Sequence, residues 1–344
     1  MKKLIILISI TFIFFNCNLT KAQNSEYRIA NKFHIEGDNG WDYLNVDDAT
    51  GRLYVSHGMM VQVVDVSNGQ VLGTIPDTKG VHGIAIATSL NKGFISCGRD
   101  TTITVFDLQT FKAMDIITVT GANPDAILYD PFTDRVFTFN GRGSNSTVID
   151  AKTDKVIETI PLDGKPEFSV TDGKGYIYVN IEDKSMLCQI NAKTLKVEKT
   201  WSVSPGEEPS GLAIDNENHY LFSVCGNKLM VISDAIAGKV ITTLPIGDRC
   251  DGVAFDNVLK RAYSSNGDGT ITVVTEGAKD NFSVLENVST QTGARTITVN
   301  SKTHHLYLPS AEFDAAPEPT AENPRPRPKI KPGTFVILDV EYVK

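Results

Sequence analysis

Several things are scarce in this chain of 344 residues. No Gly- and Ser-rich linker separates two halves, which argues against two domains on a flexible hinge. The one long apolar run, "LIILISITFIFF" at Leu4–Phe15, is too short for a spanning helix. Basic residues are outnumbered, 33 against 41 acidic, and the formal charge of -8 argues against nucleic acid or an anionic membrane as a partner. Cysteines number five, too few for a disulfide framework to carry a fold of this size.

The apolar run follows "MKK" and precedes "TKA", the order of a signal peptide: a basic start, a short apolar stretch, then small residues at Thr20 and Ala22. The reading is a leader over residues 1–22 and a mature chain from Gln23, periplasmic or secreted, with no transmembrane helix of its own. Cys17 offers a lipoprotein alternative, but Phe14, Phe15 and Asn16 fit a lipobox poorly. Losing Lys2, Lys3 and Lys21 leaves 30 basic residues and a more acidic protein. Four cysteines remain. Cys225 and Cys250 are conceivable disulfide partners, although buried free thiols are the favoured state.

What is abundant is repetition. "WDYLNVDDATGRLYVSHG" from Trp41 returns as "VHGIAIATSLNKGFISCG", "PDAILYDPFTDRVFTFNG", "PEFSVTDGKGYIYVN", "PSGLAIDNENHYLFSVCG", "CDGVAFDNVLKRAYSSNG" and "ARTITVNSKTHHLYLPS". Each copy is a polar residue, a short apolar strand, a polar turn and an aromatic-rich strand. The leading residues Asp42, His82, Asp125, Glu167, Ser210, Asp251 and Arg295 stand 40 to 44 residues apart. A second pair of strands follows each copy, as in "ITVFDLQTFKAMDII" and "STVIDAKTDKVIETI". Four strands per unit of this length predict an all-β, seven-bladed β-propeller of four-stranded blades, one domain over residues 23–344. The seventh unit has only "TFVILDV" after its first pair, and "YRIANKFHIEG" at Tyr27–Gly37 is available to close the ring from the other end. A Pro-rich segment, residues 313–333, reads as an extended insertion between the second and third strands of that last blade.

"NGDGT" at Asn266–Thr270 has the look of a calcium loop. It lacks the first carboxylate of that loop, and Asn-Gly or Asp-Gly between alternating apolar runs is hairpin-turn chemistry instead.

In a propeller the loops entering the innermost strands and those joining the second and third strands form one face. The seven leading residues are therefore expected to ring the channel mouth, four of them as carboxylates. A second ring, from the ends of the second strands, would hold His57, Cys97, Asn140, Asn180, Cys225, Asn266 and Ser310. His304 and His305 fall in a turn on the opposite face and are expected to be solvated. No cofactor is named by any motif, but Asp42, His82, Asp125, Glu167 and Asp251 have the donor types of a divalent-cation site.

The strands "LYVSHG", "IYVN" and "FTFNG", with turns such as "DAKTDKVIETI" and "NAKTLKVEKTW", resemble the YVTN-repeat, YncE-like bacterial β-propellers over residues 27 to 343. The resemblance implies an exported propeller and leaves its activity open. Two function classes follow. One is a binding or scaffold module, read as a monomer, whose mouth holds a small molecule, peptide or glycan. The other is a metal-dependent hydrolase or lyase of the propeller-lactonase kind, in which a divalent cation polarises a carbonyl or activates water.

Overall fold

The structure, a computed structural model, describes residues 25–318, 320, 322–323, 326 and 328–343. The leader assigned to residues 1–22, with Cys17, lies outside the described residues. Seven four-stranded antiparallel sheets account for the regular structure. Among the described residues there is no α-helix, only the short 3-10 turns Thr88–Leu90 and Glu182–Lys184, and so no helix long and apolar enough to cross a membrane.

Blade one runs Trp41–Asp47, Arg52–His57, Met60–Asp65 and Gln70–Ile75, and the next five blades repeat it in chain order. In the last blade Thr298–Asn300, His305–Ser310 and Val336–Tyr342 are joined by Tyr27–His34, which pairs antiparallel with Val336–Tyr342 from Tyr27 opposite Tyr342 to His34 opposite Val336. The N-terminal strand therefore closes the ring. Its first residues also grip blade six: the Tyr27 and Tyr263 hydroxyls lie 2.8 Å apart, and Arg261 donates to the Tyr27 hydroxyl and to Glu26 at 2.7 Å each.

The alternation of apolar residues places one face of each blade against the next. The result is seven separate apolar clusters, one per junction. One joins Phe94, Ile103 and Val105 of blade two to Val136 and Ile149 of blade three, and another joins Leu53, Val55 and Val64 of blade one to Tyr307 and Ile337 of blade seven. Long side chains at the start of second strands add ties on the face away from the mouth. Arg52 donates to the Leu108 carbonyl at 2.7 Å and Arg135 to that of Ala192 at 2.5 Å, each in the following blade.

The Pro-rich insertion leaves the last blade where expected, between its second and third strands, and its base is anchored. Phe313 pairs with Ile330 as a single bridge, and the Phe313 ring packs 6.0 Å from that of Trp41. "NGDG" is a turn: Asn266 faces Thr270 across it, Gly269 sits at φ 98°, and Asp268 accepts from the Asp248 N–H and the Thr270 hydroxyl at 2.7 Å each. All four described cysteines are free and buried, and Cys250 Sγ donates to the Cys225 carbonyl at 3.1 Å. Burial pushes the thiol pKa values of Cys188, Cys225 and Cys250 up to about 12.

Candidate functional site at the channel mouth

Pairing between the first two strands slips where each innermost strand begins, between Trp41 and Leu44 in blade one and at the same place in the next five blades. An extra residue on one strand re-aims side chains, and here it turns the leading residues toward the mouth. Their backbone is fastened from neighbouring blades: Ser265 donates to the Arg295 carbonyl at 2.6 Å, Asn180 to that of Ser210 at 2.9 Å, and Thr296 to that of Asp42 at 2.7 Å.

Six of the seven leading residues are linked in one chain of contacts, from Asp125 through His82, Asp42, Arg295 and Asp251 to Ser210. His82 Nδ1 lies 2.6 Å from Asp42 Oδ2 and 3.6 Å from Asp125 Oδ1. Arg295 reaches Asp251 at 3.1 Å and Asp42 at 3.5 Å, and the Ser210 hydroxyl donates to Asp251 at 2.7 Å. Glu167 stands apart from these, held by Lys165 at 3.1 Å, and Lys165 also meets Glu182. Donor atoms of Asp42, His82 and Asp125 all fall within 4.8 Å of one another, close enough to share one cation. A Cβ at position 98 would come within 2.7 Å of His82 Nε2, so Gly98 leaves the imidazole its place.

Crowding these groups out of water shifts their protonation. Burial, then the charges of Asp42 and Asp251, raises the Asp125 carboxyl to about 6, against the lowering pull of His82 and Lys165. Burial and the Asp125 charge raise Glu167 to about 8, with Lys165 only partly offsetting them. Asp251 is raised by burial despite Arg295. Burial opposes a charged His82, yet the Asp42 hydrogen bond and the Asp125 and Asp42 charges outweigh it and raise its pKa. The mouth therefore holds protons that a bound cation would displace.

The second expected ring is not open to a ligand. His57, Cys97, Asn140, Asn180, Cys225, Asn266 and Ser310 are all at most 1% exposed. Their polar atoms serve the fold: His57 meets Gln62 at 2.8 Å, Asn140 donates to Asn145 and Thr147, Asn266 to Thr270 and Thr272, and Ser310 to the Thr292 carbonyl. His304 and His305, expected to be solvated, are only partly so. Each Nδ1 lies against a buried carboxylate, His304 on Asp256 at 2.7 Å and His305 on Asp339 at 2.5 Å. Both are structural groups.

Sequence reasoning missed Tyr43 and Phe168. They follow Asp42 and Glu167 on blades one and four, which are not neighbours, yet their rings meet edge to face at 5.1 Å and 62°. They therefore close the neck of the channel just beneath the carboxylates. Below them lies a chamber of about 360 Å³ bordered by apolar inner-strand residues such as Ile86, Ile127, Val170 and Ile214. Beside the mouth opens a cleft of about 630 Å³ with Asp42, His82, Arg99 and Arg142 on its walls.

No protein-family model matches this chain. Antigen Lp49 of Leptospira interrogans serogroup Icterohaemorrhagiae serovar copenhageni (strain Fiocruz L1-130) is 24% identical over 218 residues, which is 60% of this chain and 48% of that protein. The chain thus spans about half the length of the curated relative it matches. Among solved structures, the WD40 repeats of RRP9 align with a TM-score of 0.74 at 9% identity, over 92% of this chain and 97% of that one. Kuenenia stuttgartiensis hydrazine synthase aligns at 0.70 and 15% identity, over 80% of this chain and 94% of that one. At these identities the likeness shows the propeller fold and nothing of its use.

Proposed function

We propose that the chain is an exported binding module of the YVTN-repeat, YncE-like kind, and that its channel mouth takes a cationic group, either a divalent cation or the positive end of a small molecule or peptide. The observation that carries this reading is the convergence of Asp42, His82 and Asp125 within 4.8 Å. Glu167 and Asp251 stand in the same ring, and both have carboxyl pKa values lifted by burial. Four carboxylates crowded into a partly dry funnel repel one another, and a cation relieves that repulsion.

The metal-dependent hydrolase or lyase draws on the same three residues and ranks second. The 2.6 Å contact between His82 Nδ1 and Asp42 leaves Nε2 to take a metal, with Asp42 orienting the ring; this reading ranks second because catalysis asks for a bound substrate as well as the cation. Isothermal titration of the mature chain with calcium, magnesium and zinc, repeated on Asp42→Asn/Asp125→Asn, tests the mouth as a cation site. Binding of one ion that is lost in the double variant supports it. Equal heats from both proteins would remove it.

A further inference from the structure

We infer that the neck of the channel is a site for an alkylated ammonium group, seated on Tyr43 and Phe168 beneath the carboxylate ring. The inference rests on the mouth being a cation site and names which cation the surroundings suit.

The two aromatic residues are out of pattern for their position. In the other five blades the residue after the leading one is Gly83, Ala126, Gly211, Gly252 or Thr296. Inner strands pass closely there: a Cβ at Gly211 would come 2.9 Å from Gly252 Cα, and one at Gly252 would come 3.0 Å from the Ile297 nitrogen. Small residues are what the packing calls for. Tyr43 and Phe168 instead project their rings into the channel and touch across it. Phe168 packs against the cluster between blades four and five, whereas Tyr43 belongs to none of the seven clusters, so inter-blade packing does not account for Tyr43.

What the rings do is set by what surrounds them. The Tyr43 ring with its hydroxyl follows directly on Asp42, and Phe168 directly on Glu167, so each ring adjoins a carboxylate of the mouth. No hydrogen-bond partner for that hydroxyl occurs among the described residues. An aromatic face attracts a cation through its quadrupole, more so when water is kept away. A hard divalent ion such as calcium or magnesium gains little from such a face, because it demands oxygen ligands, and magnesium keeps much of its water. A nitrogen carrying methyl groups spreads its charge over an apolar surface that stacks on rings and needs no hydrogen bond, while the carboxylates above supply the counter-charge.

The test is titration of the mature chain with tetramethylammonium chloride, with calcium chloride titrated in parallel. Wild type should bind tetramethylammonium at millimolar concentration. Tyr43→Leu and Phe168→Leu should each weaken that binding by roughly 3- to 30-fold, the range one desolvated cation–ring contact supports, while leaving calcium binding unchanged. Tyr43→Phe, which keeps the ring, should bind as wild type does. Should the leucine variants fail to fold, the N-methyl proton resonance decides: on wild type it should move upfield, because protons over an aromatic face are shielded. Leucine variants that bind tetramethylammonium as tightly as wild type, or an unshifted resonance in a bound sample, would overturn the inference. Calcium binding without tetramethylammonium binding would overturn it and leave the mouth as a metal site. If neither cation binds, the cation reading of the mouth falls as well.

Discussion

The innermost strands carry acids at both ends, and the two ends treat them differently. Away from the mouth, Asp130, Asp215 and Asp256 are fully buried and fully engaged. Asp256 accepts from the backbone N–H groups of Val258 and Leu259 at 2.8 and 3.0 Å and from His304 of the next blade. Asp215 accepts from the Glu217 N–H at 2.9 Å and meets Lys260 of the next blade at 3.1 Å. Asp130 accepts from the Thr133 N–H at 3.1 Å and from Thr171 of the next blade at 2.8 Å. Burial opposes the charge on Asp215, but the Glu217 N–H and Lys260 prevail and its pKa is lowered. At the mouth, Asp125, Glu167 and Asp251 are raised. One repeat has thus produced a ring of acids whose charge is settled inside the protein and a ring whose charge is not. The second is where an outside cation has something to do.

The contrast is broken hardest at the settled end. Asp256→Ala strips acceptors from two turn N–H groups and leaves His304 unpartnered beside them, which should cost about 3–5 kcal/mol in a urea melt. A loss below about 1 kcal/mol would mean that these acids do not tie the blades.

The pH dependence of stability separates the two rings next. A carboxyl raised in the folded state contributes stability that is present below its unfolded pKa and is lost as pH rises through the folded value. For Asp125 that loss runs from near 4 to about 6, and for Glu167 from near 4.5 to about 8. His82, also raised, adds loss in the same direction above its ordinary 6.5. Asp215, lowered, matters only as pH falls below about 4. Stability should therefore decline by about 5 kcal/mol between pH 5 and pH 8.5. Glu167→Gln should flatten the upper part of that decline, and an unchanged slope in the variant would count against the mouth as its source.

A change on the mouth face that alters no charge provides a control. Gly269→Val forces a β-branched residue to φ 98°, with its Cβ 3.1 Å from the Thr292 nitrogen. It should cost about 1–3 kcal/mol and leave calcium titration as in wild type. The smallest effect has the opposite sign. Asp125→Asn removes one of four crowded carboxylates and should stabilise the cation-free protein by about 1 kcal/mol. Asp251 is unsuited to this experiment because Arg295 and Ser210 depend on it. A destabilised Asp125→Asn protein would show that His82 needs Asp125 more than the ring suffers from it.

The blades were legible because every repeat states the same strand pairs, and closure by Tyr27–His34 followed from counting the strands of the last unit. The leading residues were legible for the same reason, being the polar start of each copy. The second ring was located correctly at the strand ends but not its burial, since a side chain such as Asn180 is spent on the Ser210 and Gly211 carbonyls of the next blade, a contact that no local pattern announces. His304 and His305 were misjudged likewise: their partners Asp256 and Asp339 come from a neighbouring blade and a neighbouring strand. Tyr43 and Phe168 were passed over because an aromatic residue early in a strand reads as core, and the bulge that turns it inward leaves no mark on hydrophobic alternation. The one available signal was their size against Gly83, Gly211 and Gly252 in the aligned copies.

Asp125 and Glu167 at the mouth should hold their protons to higher pH than Asp215 at the opposite end, and a carbon-detected NMR titration of the side-chain carboxyl groups in the cation-free protein tests this most directly. One carboxyl should titrate near pH 8 and be assigned to Glu167, one near pH 6 and be assigned to Asp125, and Asp215 should titrate below its usual 3.8. Finding every mouth carboxyl already ionised at pH 5 would contradict it.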